Sequence, residues 1–187
     1  MDRIFSALAL SILFVVFSST AIDAGIQNES ADRELGQVDL NHNTLDFGGP
    51  TALFSPLAVA VDTSVTPNRV YVVDTGNHRV LGYADETRLA PGVSPDLVIG
   101  QPDLFSAILN LASPNNSILT SPVSAAVDHA GNLYVSDWAD NRVLEYDDPF
   151  AQCGGTFPCV NAGAQRVLGQ LGSFGTTYCD SLRRRQR

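Results

Sequence analysis

Between residues 53 and 83, short apolar runs alternate with turn formers: Ala58-Val59-Ala60-Val61, Val70-Tyr71-Val72-Val73 and Val80-Leu81-Gly82-Tyr83 are each bounded by Gly, Pro, Asn or Asp. Runs of four β-branched or aromatic residues are too short for helices and read as strands. Asp96 to Ile99 supplies a fourth, and the plan returns at Ser124 to Val127, Leu133 to Ser136, Val143 to Tyr146 and Arg166 to Leu168. The links Thr75-Gly76-Asn77-His78 and Trp138-Ala139-Asp140-Asn141 are short enough to force antiparallel neighbours, with Gly and Asn available for positive φ. After the N-terminal apolar stretch, no helix-period segment of useful length appears. The pattern predicts an all-β chain of two four-stranded antiparallel units.

The two units are copies. Pro56 aligns with Pro122, Asp62 with Asp128, Tyr71 with Tyr134, Asp74 with Asp137, Arg79 with Arg142 and Tyr83 with Tyr146, at offsets of 63 to 66 residues. A second word, Leu35-Gly36-Gln37, recurs as Ile99-Gly100-Gln101 and Leu168-Gly169-Gln170, followed by Phe47, Phe105 and Phe174. A four-stranded antiparallel unit repeated at fixed spacing is the signature of a β-propeller. The words P-x-x-[VA]-A-V-D, [VL]-Y-V-x-D and N-x-R-V or D-N-R-V resemble the NHL repeat, as it occurs in exported bacterial proteins. The resemblance runs from about Leu35 to Phe174. It implies an NHL β-propeller scaffold and is weak on function, because such propellers include protein-binding, RNA-binding and scaffolding modules and a few enzymes.

The expected organisation is a signal peptide over 1–24, a linker over 25–34, a partial propeller over 35–176 and a basic tail over 177–187. Two to two and a half blades cannot close a ring, which needs ~4 to 8. An isolated pair is expected to leave large apolar faces in water. The chain is therefore read as a fragment of a protein with roughly six blades, its Arg-rich end a truncation artefact. The alternative is a short protein that closes its ring by self-association.

Charge and targeting narrow the partners. A net charge of -9, with all eleven basic residues Arg, disfavours nucleic acid and anionic membrane. Asp2 and Arg3, the apolar run Ile4 to Phe17 and the small residues Ser18 to Ala21 fit a secretory signal cleaved after Ala21 or Ala24. A retained anchor is the competing reading. Export predicts a secreted, extracellular or periplasmic protein in which Cys153 and Cys159, enclosing Gly-Gly-Thr-Phe-Pro, form a disulfide and Cys179 is left over.

Asp74 with Arg79, and Asp137 with Arg142, occupy equivalent turn positions; a residue present in every unit points to fold maintenance, a carboxylate capping turn amides and pairing with the next strand's Arg. The resemblance implies the same, since these are signature residues of the repeat. Trp138, which replaces Thr75, breaks the symmetry and is the candidate ligand contact. His42, His78 and His129 are dispersed, and Asp147-Asp148 is a lone acidic pair, so no metal site, catalytic residue or cofactor is assigned. The expected function is binding of a protein or glycan through loops of an exported propeller. The alternative is a lyase- or lactonase-like propeller enzyme whose catalytic residues lie in missing blades.

Overall fold

The computed structural model describes residues 31, 33–37, 49–109, 113–160 and 162–177. The expected signal segment, most of the linker, His42, Phe47, Cys179 and the basic tail beyond residue 177 lie outside them. All described residues belong to one compact unit, Ala31–Arg187.

The described chain is all-β, with two sheets and only single-turn 3-10 segments for helix. In the first sheet, β1 (Pro56–Asp62), β2 (Arg69–Asp74), β3 (Arg79–Tyr83) and β4 (Leu97–Ile99) follow one another antiparallel. In the second, β5 (Pro122–Val127), β6 (Leu133–Asp137) and β7 (Arg142–Tyr146) do the same, and β9 (Arg166–Leu168) closes the order. The registers repeat, pairing Asp74 with Arg79 and Asp137 with Arg142, and the first strand of each sheet is bulged just after its proline. The described sheets form no closed barrel or ring.

Three features depart from the sequence expectation. The first sheet has five strands, because β8 (Cys159–Val160), contributed by the insertion between β7 and β9, pairs parallel with β4. The insertion, closed on itself by the Cys153–Cys159 disulfide, is held across the sheets by Asp148 accepting from Arg69 at 2.8 Å and by the Cys159 amide donating to the Asp96 carbonyl at 2.7 Å. In the strand-linking turns, Asn141 (φ 52°) takes the left-handed position as expected, but in the first turn His78 (φ 56°) does so rather than Gly76 or Asn77. Gly76 is needed for space instead: a Cβ there would stand 2.6 Å from the Phe54 carbonyl oxygen.

The third departure concerns the faces. Tyr71, Val73, Val80, Leu97 and Ile99 of the first sheet pack on Leu133, Val135, Leu144 and Tyr146 of the second, forming the main core. The first sheet's other face (Val70, Val72, Leu81, Tyr83, Val98) is covered by Leu104 with Leu35, Leu53, Leu89 and Val93. The second sheet's outer face is polar over much of its area, so neither sheet exposes the fully apolar surface expected of an isolated pair.

Candidate functional site

The turns joining the second and third strands of each sheet lie next to the segments that lead into the first strands, and together they build one end of the molecule. Thr75 Oγ1 of the first turn donates to the Pro122 carbonyl at 2.7 Å, His78 Nδ1 lies 2.6 Å from the Thr120 carbonyl, and the Trp138 amide donates to the Ser121 carbonyl at 2.9 Å. The repeated Gly-Gln word seats this layer. Gly36, Gly100 and Gly169 share a φ of 92° to 95°, a left-handed conformation open to glycine and strained for other residues. Gln101 Nε2 donates to the His78 carbonyl at 3.3 Å, and Gln170 Nε2 to that of Asn141 at 2.8 Å, satisfying turn carbonyls that would otherwise be orphaned.

Beneath this layer sit the two Asp–Arg pairs, all four residues buried. Asp74 accepts from the Phe54 amide at 2.7 Å, from Asn77 Nδ2 at 2.9 Å and from Arg79 Nε at 2.8 Å. Arg79 donates further to the carbonyls of Gly49, Ala52 and Leu104. Asp137 accepts from the Thr120 and Ser121 amides and from Arg142. Arg142 also reaches the carbonyls of Asn115, Ile118 and Phe174, so all its N–H groups are engaged within the fold. A guanidinium so engaged has no donor left for a bound anion. The second cluster carries an extra carboxylate, Asp140 in place of Asn77, 3.1 Å from Arg142 Nη2. Burial pushes the Asp137 carboxyl above its ordinary range, against the pull of the Ser121 amide and Arg142, with the Asp140 charge adding to the rise.

Trp138 stands at the tip of the second turn with 71% of its surface exposed, while its counterpart Thr75 is tied to the next unit. Phe105, Ile108 and Leu109, in the loop after the second Gly-Gln word, and Leu171, after the third, are exposed too. Gln101 exchanges hydrogen bonds with the Ile108 backbone, and Gln170 Nε2 donates to the Asp140 and Asn141 carbonyls just after Trp138, so the aromatic tip projects from an ordered base.

Away from this end, Arg69 joins the sheets in a way the sequence did not suggest. It pairs with Asp148 and, at 3.4 Å, with Asp62, and lies 4.9 Å over the Phe150 ring, which packs on Tyr71. Burial holds the Tyr71 phenol far above its usual range despite Arg69 nearby. Asp148 is thus an ion-pair partner, and Asp147 lies 3.7 Å from Arg166. Arg69 and Asp148 come from separate units, so no local motif announces their pairing. His129 is exposed, and among the described residues no group of three or more His, Cys, Asp or Glu side chains is placed to hold a metal ion. No described helix is long and apolar enough to cross a membrane. No family model matches this chain, and no curated protein does.

Proposed function

We propose that this chain is part of an exported NHL-type β-propeller whose strands act as scaffold and whose turn end, centred on Trp138, binds a protein or glycan partner. The repeated NHL words on equivalent strands, the head-to-tail sheet contact and the disulfide support this reading. The observation that carries it is the exposed indole on a base braced by buried Asp–Arg clusters. An aromatic of this size covers ~150 to 250 Å2 when buried and is well suited to stack on a sugar ring or fill a protein pocket.

Trp138 is the only tryptophan in the chain, so its emission reports the site directly. Capture of partners from an extracellular fraction, with glycan titrations followed by fluorescence, tests the reading. Trp138→Ala should weaken binding by ~30-fold or more, the loss typical of a central aromatic anchor. Equal capture by the variant and the parent chain sinks it. The Thr75 to Pro122 hydrogen bond favours a second reading, in which Trp138 packs against an adjoining sheet. Its emission would then move to the blue with protein concentration alone.

A further inference from the structure

The described residues contain one sheet-on-sheet contact, and its two sides are not alike. The first sheet contributes the side bearing Ala58, Ala60, Tyr71 and Val73; the second contributes the side bearing Ala125, Val127, Leu133 and Val135. Because the units are copies, the outer face of each sheet is the sequence equivalent of a face that is already in contact. Both outer faces are finished on their outer strands: Leu35, Leu53, Leu89 and Leu104 cover the first, and the Glu145–Arg166 pair, 2.7 Å apart, occupies the second.

The inner strands are left open. On β1, Leu57, Val59 and Val61 are 60%, 62% and 48% exposed, at positions equivalent to Val123, Ala125 and Val127 of β5. In β5, Ala125 and Val127 pack on the core shared with the first sheet, and β5 lies along β1 and β2. Conversely, β5 exposes Ser124 and Ala126, the equivalents of Ala58 and Ala60, which are covered in the first sheet. One molecule therefore displays both halves of a contact that it already makes internally.

We propose that a second copy of this chain lays its β1 stripe, Leu57, Val59 and Val61, on the outer side of β5 at Ser124 and Ala126, repeating the internal contact of β1 with β5. This goes beyond the ligand-binding reading and stands without it. The contact is heterologous, so copies add in one direction and close into a ring where the rotation allows. Only the inner strands take part, so the association is weak and follows concentration.

Sedimentation equilibrium of the full chain carrying Cys179→Ser, which prevents an intermolecular disulfide, tests the proposal. The weight-average mass should rise above the 19.9 kDa monomer with concentration. Val59→Glu and Ala126→Glu, both at exposed positions that leave Trp138 intact, should each give a smaller rise or none, with unchanged circular dichroism. An equimolar mixture should form a 1:1 dimer and nothing larger, because each variant keeps one intact half and the two blocked halves repel. A parent chain that stays monomeric to ~1 mM, where even a millimolar contact would show, overturns the proposal. So does a rise in mass that either substitution leaves undiminished, or a mixture that fails to pair.

Discussion

The two sheets share strand order, register and turn geometry, yet equivalent positions on one face differ in chemistry. Where the first sheet has Ala58, Val73, Gly82 and Leu97, the second has Ser124, Ser136, Glu145 and Arg166. The first set lies against the second sheet and the insertion; the second set lies on the outer side, where Ser124 and Arg166 are exposed, Ser136 is half-buried and Glu145 is buried beside Arg166. Residues common to both units, the Asp–Arg pairs and the Gly-Gln words, make the sheet. Residues that differ record what covers it. Val73 and Leu97, buried in that face, each contribute about 1.5 to 3 kcal/mol, a gain that Ser136 and Arg166 do not supply. The second sheet keeps Val143 and Leu168 there, the latter half exposed.

The sharpest way to break this comparison is to exchange the pair Gly82 and Glu145. A Cβ at Gly82 would stand 3.0 Å from Phe150 Cζ and from the Leu97 side chain, so Gly82→Glu forces a carboxylate into an occupied, apolar site. It should destabilise by about 3 to 5 kcal/mol, the scale of an uncompensated buried charge. Glu145→Gly loses a hydrogen bond with Tyr134 and a pair with the exposed Arg166, for about 1 kcal/mol. Urea unfolding midpoints measure both. Equal losses would erase the distinction between a covered and an uncovered face.

A smaller effect is expected at the clasp. Opening the Cys153–Cys159 bridge with a double serine substitution frees a short loop, for a loss of about 2 kcal/mol in the chain-entropy model. Because β8 belongs to the first sheet but reaches it from the second unit, amide exchange should accelerate at Val160 and along β4 and leave β6 protected. Uniform acceleration would show that the insertion does not join the sheets in this way.

The smallest effect distinguishes the equivalent turn carboxylates Asp62 and Asp128. Asp62 is held by Ser64 and Arg69, whereas Asp128 accepts from the amides of Asn132 and Ala130 and from the Asn132 side chain. The Asn132 amide is the chief cause holding the Asp128 carboxyl below its ordinary value of 3.8. Its folded pKa is lowered, so its stabilisation is complete above the unfolded value and is lost as pH falls through the folded one. An NMR titration should place the Asp128 midpoint below 3.8, with the Ala130 and Asn132 amide shifts following it. A midpoint above that value removes the proposed role of the turn amides.

The strands, the turns and the antiparallel order could be read from the residues alone, because each depends on alternation within a few positions and on Gly, Pro, Asn and Asp at the boundaries. Asp74 with Arg79 and Asp137 with Arg142 stood out for the same reason: five residues apart, they recur in register. The Cys153–Cys159 pairing was legible too, since only the five residues Gly154 to Pro158 separate the two cysteines. At the candidate site, the replacement of Thr75 by Trp138 was visible as broken symmetry, but the exposure of the indole was not. The strand β8, the Arg69–Asp148 pair across 79 residues, the cover over the first sheet and the open stripe on β1 all required the tertiary structure. These features depend on which distant segments meet, and a local pattern of apolar and polar residues carries no information about what lies across the face it creates.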